Sequence, residues 1–365
     1  MGRALEVGAT GRRTAPPNPW VGCVLLRDGE IVGEGFHERP GAPHAEAVAL
    51  TAAGDRARGA TAVVTLEPCS HTGRTGPCAD ALLAAGIARV VVALEDPDDD
   101  VRGRGIARLR EHGVSVDVGA GATAAARSLA PYLHHRRTGR AYCLVKTAMS
   151  LDGRTAAADG SSRWITRPAA RADAHELRAD SQAVVVGSGT ALVDRPALTP
   201  RDVAEPVARP PLRVVLDARG RVPADGSLFD PDLAPTLVLT TDAVAPTAVD
   251  AWRAAGAKVE TLARGPGGTG VDLAAALALL GSHGVLQAMV EGGATVHGAL
   301  LDAELADRVV AYVAPVVLGP DARAAFAGGG PESVTAAPHW RLLSAQPIGE
   351  DVRLEYEPAG DGGGR

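Results

Sequence analysis

The chain has 365 residues, more than one hydrophobic core ordinarily organises, so two domains are expected and three are possible. Hydrophobic residues make up 46% and charged residues 22%, proportions that exclude a disordered, collagen-like or fibrous chain. With 43 acidic against 37 basic residues the net charge is −6, which argues against a non-specific nucleic-acid binder.

From the N-terminus, MGRALEVGATGRR carries no apolar signal segment, and no run approaches the roughly 20 apolar residues of a membrane helix. A cytoplasmic protein with no membrane partner is expected. Short β-rich runs then alternate with helical ones: VGCVLL (21–26), IVGEGF (31–36), HAEAVALTAAG (44–54), TAVVTLE (61–67), PCADALLAAG (77–86), ARVVVALE (88–95), GIARLREHG (105–113) and VSVDV (114–118). This alternation predicts an α/β layer sandwich, with turns at Asp28-Gly29 and helix ends near the glycines at 54, 86 and 113. ATAAARSLAPYLHHRRTGR (122–140) reads as one helix and a linker, which puts a domain boundary near Gly139 and leaves His134 and His135 solvated.

The second half restarts at AYCLVKTAMS (141–150) and alternates again. A helix is expected around 168–180, strands at 182–187, 211–218, 235–241 and 257–262, a helix over 271–281 and a strand over 286–293. DRVVAYVAPVVLG (307–319) and the runs at 340–347 and 351–358 read as closing strands. The expected domains are therefore 1–139 and 140–358, with 359–365 a disordered tail.

Four cysteines are too few for a disulfide scaffold in so long a chain. Cys23 and Cys143 sit in apolar runs and read as core thiols. Cys69 and Cys78 instead combine with His44-Ala45-Glu46 at a helix start. One imidazole and two thiolates leave tetrahedral Zn²⁺ an open position for water, as a catalytic site requires. Pro77 fits a first helical turn, which sets Cys78 at a helix N-terminus where the thiolate is favoured. Glu46, two residues past the ligand, is placed to move protons. The order H-x-E then P-C is that of zinc-dependent base deaminases, although eight residues separate the cysteines here where two are usual. A non-enzymatic zinc module would want a fourth ligand and no Glu46, and a nucleic-acid-editing deaminase would want a basic, aromatic-rich surface.

In the second half, Lys146 and Lys258 are the only lysines in the chain. Lys146, read at a strand end, is either a solvated charge or a site residue. Arg178 and Arg201 suit bidentate phosphate contacts, though a helix-face Arg178 is as readily a solvated charge. Glu291-Gly292-Gly293, between a strand and a helix, reads as an anion cradle or a tight turn, and Gly187-Ser188-Gly189-Thr190 shares that ambiguity. His71, between the two metal cysteines, is open to a substrate contact or a loop-stabilising role.

PNPWVGCV (17–24), GEGFH (33–37), HAE (44–46), TLEPCSHTGRTGPC (65–78) and Asp96-Pro97 resemble the bifunctional riboflavin-biosynthesis deaminase/reductase family, whose long cysteine spacing matches this one. LVKTAMSLDGRTA (144–156), SSRWIT (161–166), HELRADSQAVVVGSGTALVDRPALTPR (175–201) and VEGGATVHGALL (290–301) are similar to its reductase half. The resemblance implies a cytidine-deaminase-like α/β/α sandwich followed by a dihydrofolate-reductase-like α/β domain, one Zn²⁺ per chain, NADPH, and a homo-oligomer, with a dimer the first expectation. It implies a small phosphorylated pyrimidine substrate, deaminated at Glu46 and then reduced from ribosyl to ribityl. Its pattern assigns substrate contacts to Lys146, Ser162, Arg178, Leu198, Arg201 and Glu291. It assigns cofactor contacts to Ala148, Trp164, Thr190, Asp194, Ala218 and the run Gly293, Ala294, Thr295, Val296, His297, Gly298 and Ala299. Lys146 and Asp194 are its candidates for orienting or polarising the sugar carbon. Three departures stand out: Gly76 replaces a proline, Asp98-Asp99 stands for Asn-Pro, and Arg195 replaces the second Asp of Asp-Asp-Pro. The last keeps open a deaminase with an impaired reductase, beside a paralogue serving a specialised metabolite.

Overall fold

The computed structural model describes residues 1–70, 76–205, 207 and 209–359. The chain divides into two compact units, Met1–Gly139 and Arg140–Arg365. Among the described residues no helix is long and apolar enough to cross a membrane.

The first unit is built on five strands, β1 (Gly22–Arg27), β2 (Glu30–Phe36), β3 (Thr61–Val64), β4 (Arg89–Val92) and β5 (Ser115–Val118), in the order β2-β1-β3-β4-β5. β1 and β2 form an antiparallel hairpin through Asp28-Gly29, both at positive φ, whereas β3, β4 and β5 run parallel. Period-two alternation divides the sheet faces. Cys23, Leu25, Ala62 and Val64 pack with helices Ala45–Ala53, Cys78–Ala84 and Arg104–Glu111, while Val24 and Val63 meet Ala4 of helix Gly2–Ala9. Cys23 is fully buried, as a core thiol should be. Helix Ala45–Ala53 lies hard against β2, because a Cβ on Gly35 would stand 2.4 Å from the Ala45 carbonyl oxygen. That approach sets the height of the helix start carrying His44 and Glu46.

The segment read as one helix is two, Ala122–Ser128 and Ala130–Thr138, separated at Leu129. Pro131 has no N–H to give to the preceding turn and starts the second helix instead. His134 and His135 are consequently half-buried helix residues, not solvated linker residues. Gly139, at φ 71°, closes the helix.

The second unit contains β6 (Tyr142–Ser150), β7 (Arg154–Ala156), β8 (Ala183–Gly187), β9 (Leu212–Leu216), β10 (Thr236–Thr240), β11 (Lys258–Thr261), β12 (Gln287–Val290), β13 (Arg308–Ala314), β14 (Arg323–Ala324), β15 (Trp340–Ile348) and β16 (Asp351–Pro358). Nine of these form one sheet in the order β11-β10-β9-β8-β12-β6-β13-β16-β15, and β7 pairs with β14 separately. The strands from β11 to β13 are parallel, and β16 and β15 close the sheet antiparallel. Every residue of β8, β10 and β12 is buried, as strands covered on both faces require. Cys143 lies in this core.

Several elements differ from expectation. Lys146 is not at a strand end, because β13 pairs with β6 from Leu144 through Ser150 and keeps Lys146 in mid-strand. The strand beginning near Asp307 stops at Ala314, before Pro315. Ser188–Asp194 is a short helix. Helix Pro246–Ala254 went unread because it buries little beyond Trp252, so its apolar period is faint. Lys258 is exposed on the edge strand β11, where a charge discourages pairing with another chain.

Candidate active sites

In the first unit, His44 is the N-cap of helix Ala45–Ala53, Cys69 follows β3, and Cys78 opens helix Cys78–Ala84. Pro77 caps that helix from outside its first turn. The three donor atoms lie within 4.8 Å of one another, with His44 Nδ1 3.3 Å from Cys78 Sγ and 3.6 Å from Cys69 Sγ. The Cys78 backbone N–H donates to Cys69 Sγ at 3.4 Å. Hydrogen bonding from Cys78, and then from His44, outweighs burial and holds the Cys69 thiol well below its ordinary value. This donor set fits Zn²⁺ with one position left for water.

Glu46 is buried one residue into the same helix, and burial pushes its carboxyl up to about 7. A carboxyl poised there serves as acid and base near neutrality. His37 braces the entry to the helix. Its Nδ1 lies 3.2 Å from the Pro43 carbonyl, its Nε2 3.0 Å from Asn18 Nδ2, and its ring meets His44 edge-on. His71 and Thr75 fall outside the described residues.

Sequence reasoning missed the group that holds the thiol loop. The Glu67 carboxylate is buried and accepts the backbone N–H groups of Asp96, Gly103, Gly105 and Ile106. It ties the segment that runs into Pro68-Cys69 to the start of helix Arg104–Glu111. Of the departing pair, Asp98 takes an ion pair from Arg136 at 3.1 Å and Asp99 one from Arg102 at 3.1 Å. Neither contacts the donor set.

In the second unit a cavity of about 2100 Å³ opens at the carboxyl ends of the parallel strands. Ligands of open α/β sheets bind at this edge. Lys146, Ser162, Arg178, Leu198, Arg201 and Glu291 all line it. So do Ala148, Trp164, Thr190, Asp194 and Ala218, together with Gly293 to His297 and Ala299. Gly298 does not, because it faces the next segment, where a Cβ would meet the Ala327 carbonyl oxygen at 1.7 Å.

Glu291 is the centre of charge in this wall. It accepts from Arg178 through both oxygens, Nη2 to Oε2 at 2.7 Å and Nε to Oε1, and Lys146 Nζ stands 4.0 Å away. Burial opposes its charge, but Arg178 and then Lys146 prevail and hold it at about 2. Burial pulls the Lys146 ammonium below its ordinary value. The strand-to-helix turns after β8 and β12 meet back to back. A Cβ on Gly292 would stand 2.9 Å from the Gly187 nitrogen, and the Gly293 N–H donates to Thr190 Oγ1 at 3.1 Å. Gly293 caps helix Ala294–Asp302, whose first turn carries no acidic residue. Arg195 takes φ 42° and turns its guanidinium to Asp225 at 2.5 Å. His175 also lines the cavity, between the two arginines, and nothing in its sequence setting had marked it out.

The profile described as the RibD C-terminal domain matches residues 141–354, and that of the cytidine and deoxycytidylate deaminase zinc-binding region matches residues 1–94. Riboflavin biosynthesis protein RibD of Escherichia coli (strain K12) is 43% identical over 97% of this chain and 97% of its own. That of Chlamydia pneumoniae is 42% identical over 98% of this chain and 94% of its own. The structure of Acinetobacter baumannii RibD, form 1, superposes with a TM-score of 0.86 at 38% identity, covering 98% of both chains. With matches of this extent in both halves, the chain belongs to the RibD family of bifunctional riboflavin-biosynthesis enzymes, a deaminase joined to a reductase on one polypeptide.

Proposed function

We propose that the first unit deaminates 2,5-diamino-6-(5-phosphoribosylamino)pyrimidin-4-one and that the second reduces the product to 5-amino-6-(5-phosphoribitylamino)uracil with NADPH. The observation that carries this is one chain holding two separate chemistries, a His44-Cys69-Cys78 donor set beside buried Glu46 and a strand-end cavity centred on Glu291. Its volume is about twice the upper end of the ~300–1,000 Å³ usual for one small ligand, room for a dinucleotide beside a substrate.

When bound, Zn²⁺ supplies a Lewis acid that lowers the pKa of a water at its open position. Glu46 takes the proton of the attacking water and passes it to the pyrimidine, so that the amino group leaves as ammonia. Burial of Glu46 keeps this proton exchange near neutral pH.

In the second unit the Arg178 and Arg201 guanidinium groups bind the substrate phosphate, and Ser162 and Leu198 flank it. Glu291 keeps Arg178 and Lys146 aligned, and Lys146 with Asp194 orients the reacting sugar carbon. NADPH, when bound, supplies the reducing pair for the ribosyl C1′. The start of helix Ala294–Asp302 would cradle its phosphates, with Thr190 accepting the Gly293 N–H and so fixing the turn. Ala148, Trp164 and Ala218 complete the cofactor wall.

The test is a two-stage assay on the purified chain. One ammonia should be released per substrate, and NADPH should be oxidised only with the deaminated product. NADPH oxidation by the undeaminated substrate at the same rate, or ammonia release that survives Glu46→Gln, contradicts the reading.

A further inference from the structure

The structure assigns His175 a direct place in the phosphate site of the reductase, a step that rests on the substrate reading above. His175 sits on helix Pro168–Ala179, one turn before Arg178 and on the same face. It lines the cavity together with Arg178, Arg201, Lys146 and Glu291.

The hydrogen-bond pattern fixes the tautomer. His175 Nδ1 accepts the backbone N–H of Arg201 at 3.1 Å, and Arg178 Nη1 lies 3.4 Å from the same nitrogen. Both neighbours are donors, so Nδ1 presents its lone pair and the imidazole proton resides on Nε2. Burial, then the charges of Arg178 and Arg201, hold the ring at about 4, so it is neutral at working pH. The Nε2–H faces Arg201 Nη2 at 3.5 Å. Two donors at that separation cannot bond each other, and what satisfies both is a single oxygen acceptor placed between them.

A phosphate oxygen of the substrate meets that requirement. Arg201 alone would offer charge, but its backbone and its guanidinium are both referenced to the one imidazole. His175 therefore fixes where the Arg201 fork points and adds an uncharged N–H to the same oxygen. Its neutrality matters, because a third positive charge beside Arg178 and Arg201 would repel both.

The test compares the full chain with His175→Leu and His175→Gln, the glutamine amide being able to accept at one atom and donate at the other. Each is assayed for NADPH oxidation with 5-amino-6-(5-phosphoribosylamino)uracil and with its dephosphorylated nucleoside. The expected result is a KM for the phosphorylated substrate about tenfold higher in His175→Leu, as for one lost hydrogen bond to a charged group, with kcat little changed. The KM for the nucleoside stays at the wild-type value, and His175→Gln recovers most of the loss. ¹⁵N shifts of the wild-type ring should report an Nε2–H tautomer that responds to inorganic phosphate. If the wild type discriminates between the two substrates and His175→Leu discriminates to the same extent, the assignment of His175 is overturned and the substrate reading stands. If the wild type itself shows no preference for the phosphate, the substrate reading falls and takes the assignment with it.

Discussion

Glu67 and Gly105 stand 38 residues apart in sequence, and Glu67 Oε1 accepts the Gly105 N–H at 3.0 Å. Gly105 has no space for a side chain, since a Cβ would lie 1.8 Å from the carbonyl oxygen of Pro68, the residue before Cys69. The start of helix Arg104–Glu111 is thus clamped directly onto the segment that delivers the Cys69 thiol to the donor set. Glu67→Ala leaves four backbone donors with no acceptor and should cost the first unit about 3 kcal/mol or more, read from its denaturant transition. Zinc content should fall in parallel, while NADPH oxidation by deaminated substrate is retained.

Glu46→Gln keeps the shape of the side chain and removes its proton exchange. Ammonia release should drop by about 10²–10⁴-fold, the contribution of a positioned acid or base. Metal analysis should still find one zinc per chain, which separates loss of proton transfer from loss of the site.

Removing metal should dissociate the two activities. Among the described residues, the donor set belongs to the first unit and the lining of the reductase cavity to the second. A chelator should abolish ammonia release and leave NADPH oxidation with deaminated substrate unchanged. Added Zn²⁺ should restore the first. A parallel loss of both activities would show that the reductase also depends on the metal.

The second unit should lose stability as the solution is acidified, in two overlapping windows. Glu291 is held at about 2 against an ordinary 4.5, so between those values the unfolded chain binds its proton more readily. Its contribution is complete above about pH 4.5 and is lost toward pH 2, on the order of 3 kcal/mol in all. His175, held at about 4 against 6.5, acts with the same sign, complete above about pH 6.5 and lost toward pH 4. Unfolding free energy followed from pH 7 to pH 3 should fall throughout, and Arg178→Met should flatten the lower part by releasing Glu291.

Gly292→Ala places a methyl group 2.9 Å from the Gly187 nitrogen, against backbone that cannot rotate away. The two strand-to-helix turns should separate, costing about 1–3 kcal/mol. The KM for NADPH should rise while ammonia release is unaffected. An unchanged KM would mean that the turns do not touch the cofactor.

The candidate donor set was legible in the sequence because metal chemistry restricts residue type, and because His44 and Cys78 each stand at a helix start that short-range patterning marks, whereas Cys69 lies in the loop after β3. The parallel core was legible for the same local reason, since strands buried on both faces must be runs such as AVVV and LVLT. Lys146, Arg178 and Glu291 entered as residue types suited to an anion site. Only the tertiary structure brought them to one carboxylate, because β6, β12 and helix Pro168–Ala179 meet through pairing and packing that no local spacing encodes. Glu67 and His175 remained silent in the sequence, as a carboxylate before a proline and an imidazole on a helix face. Their roles rest on backbone N–H groups delivered from Gly105 and Arg201, and a hydrogen bond of that kind depends on where a distant loop arrives, not on the residue that accepts it.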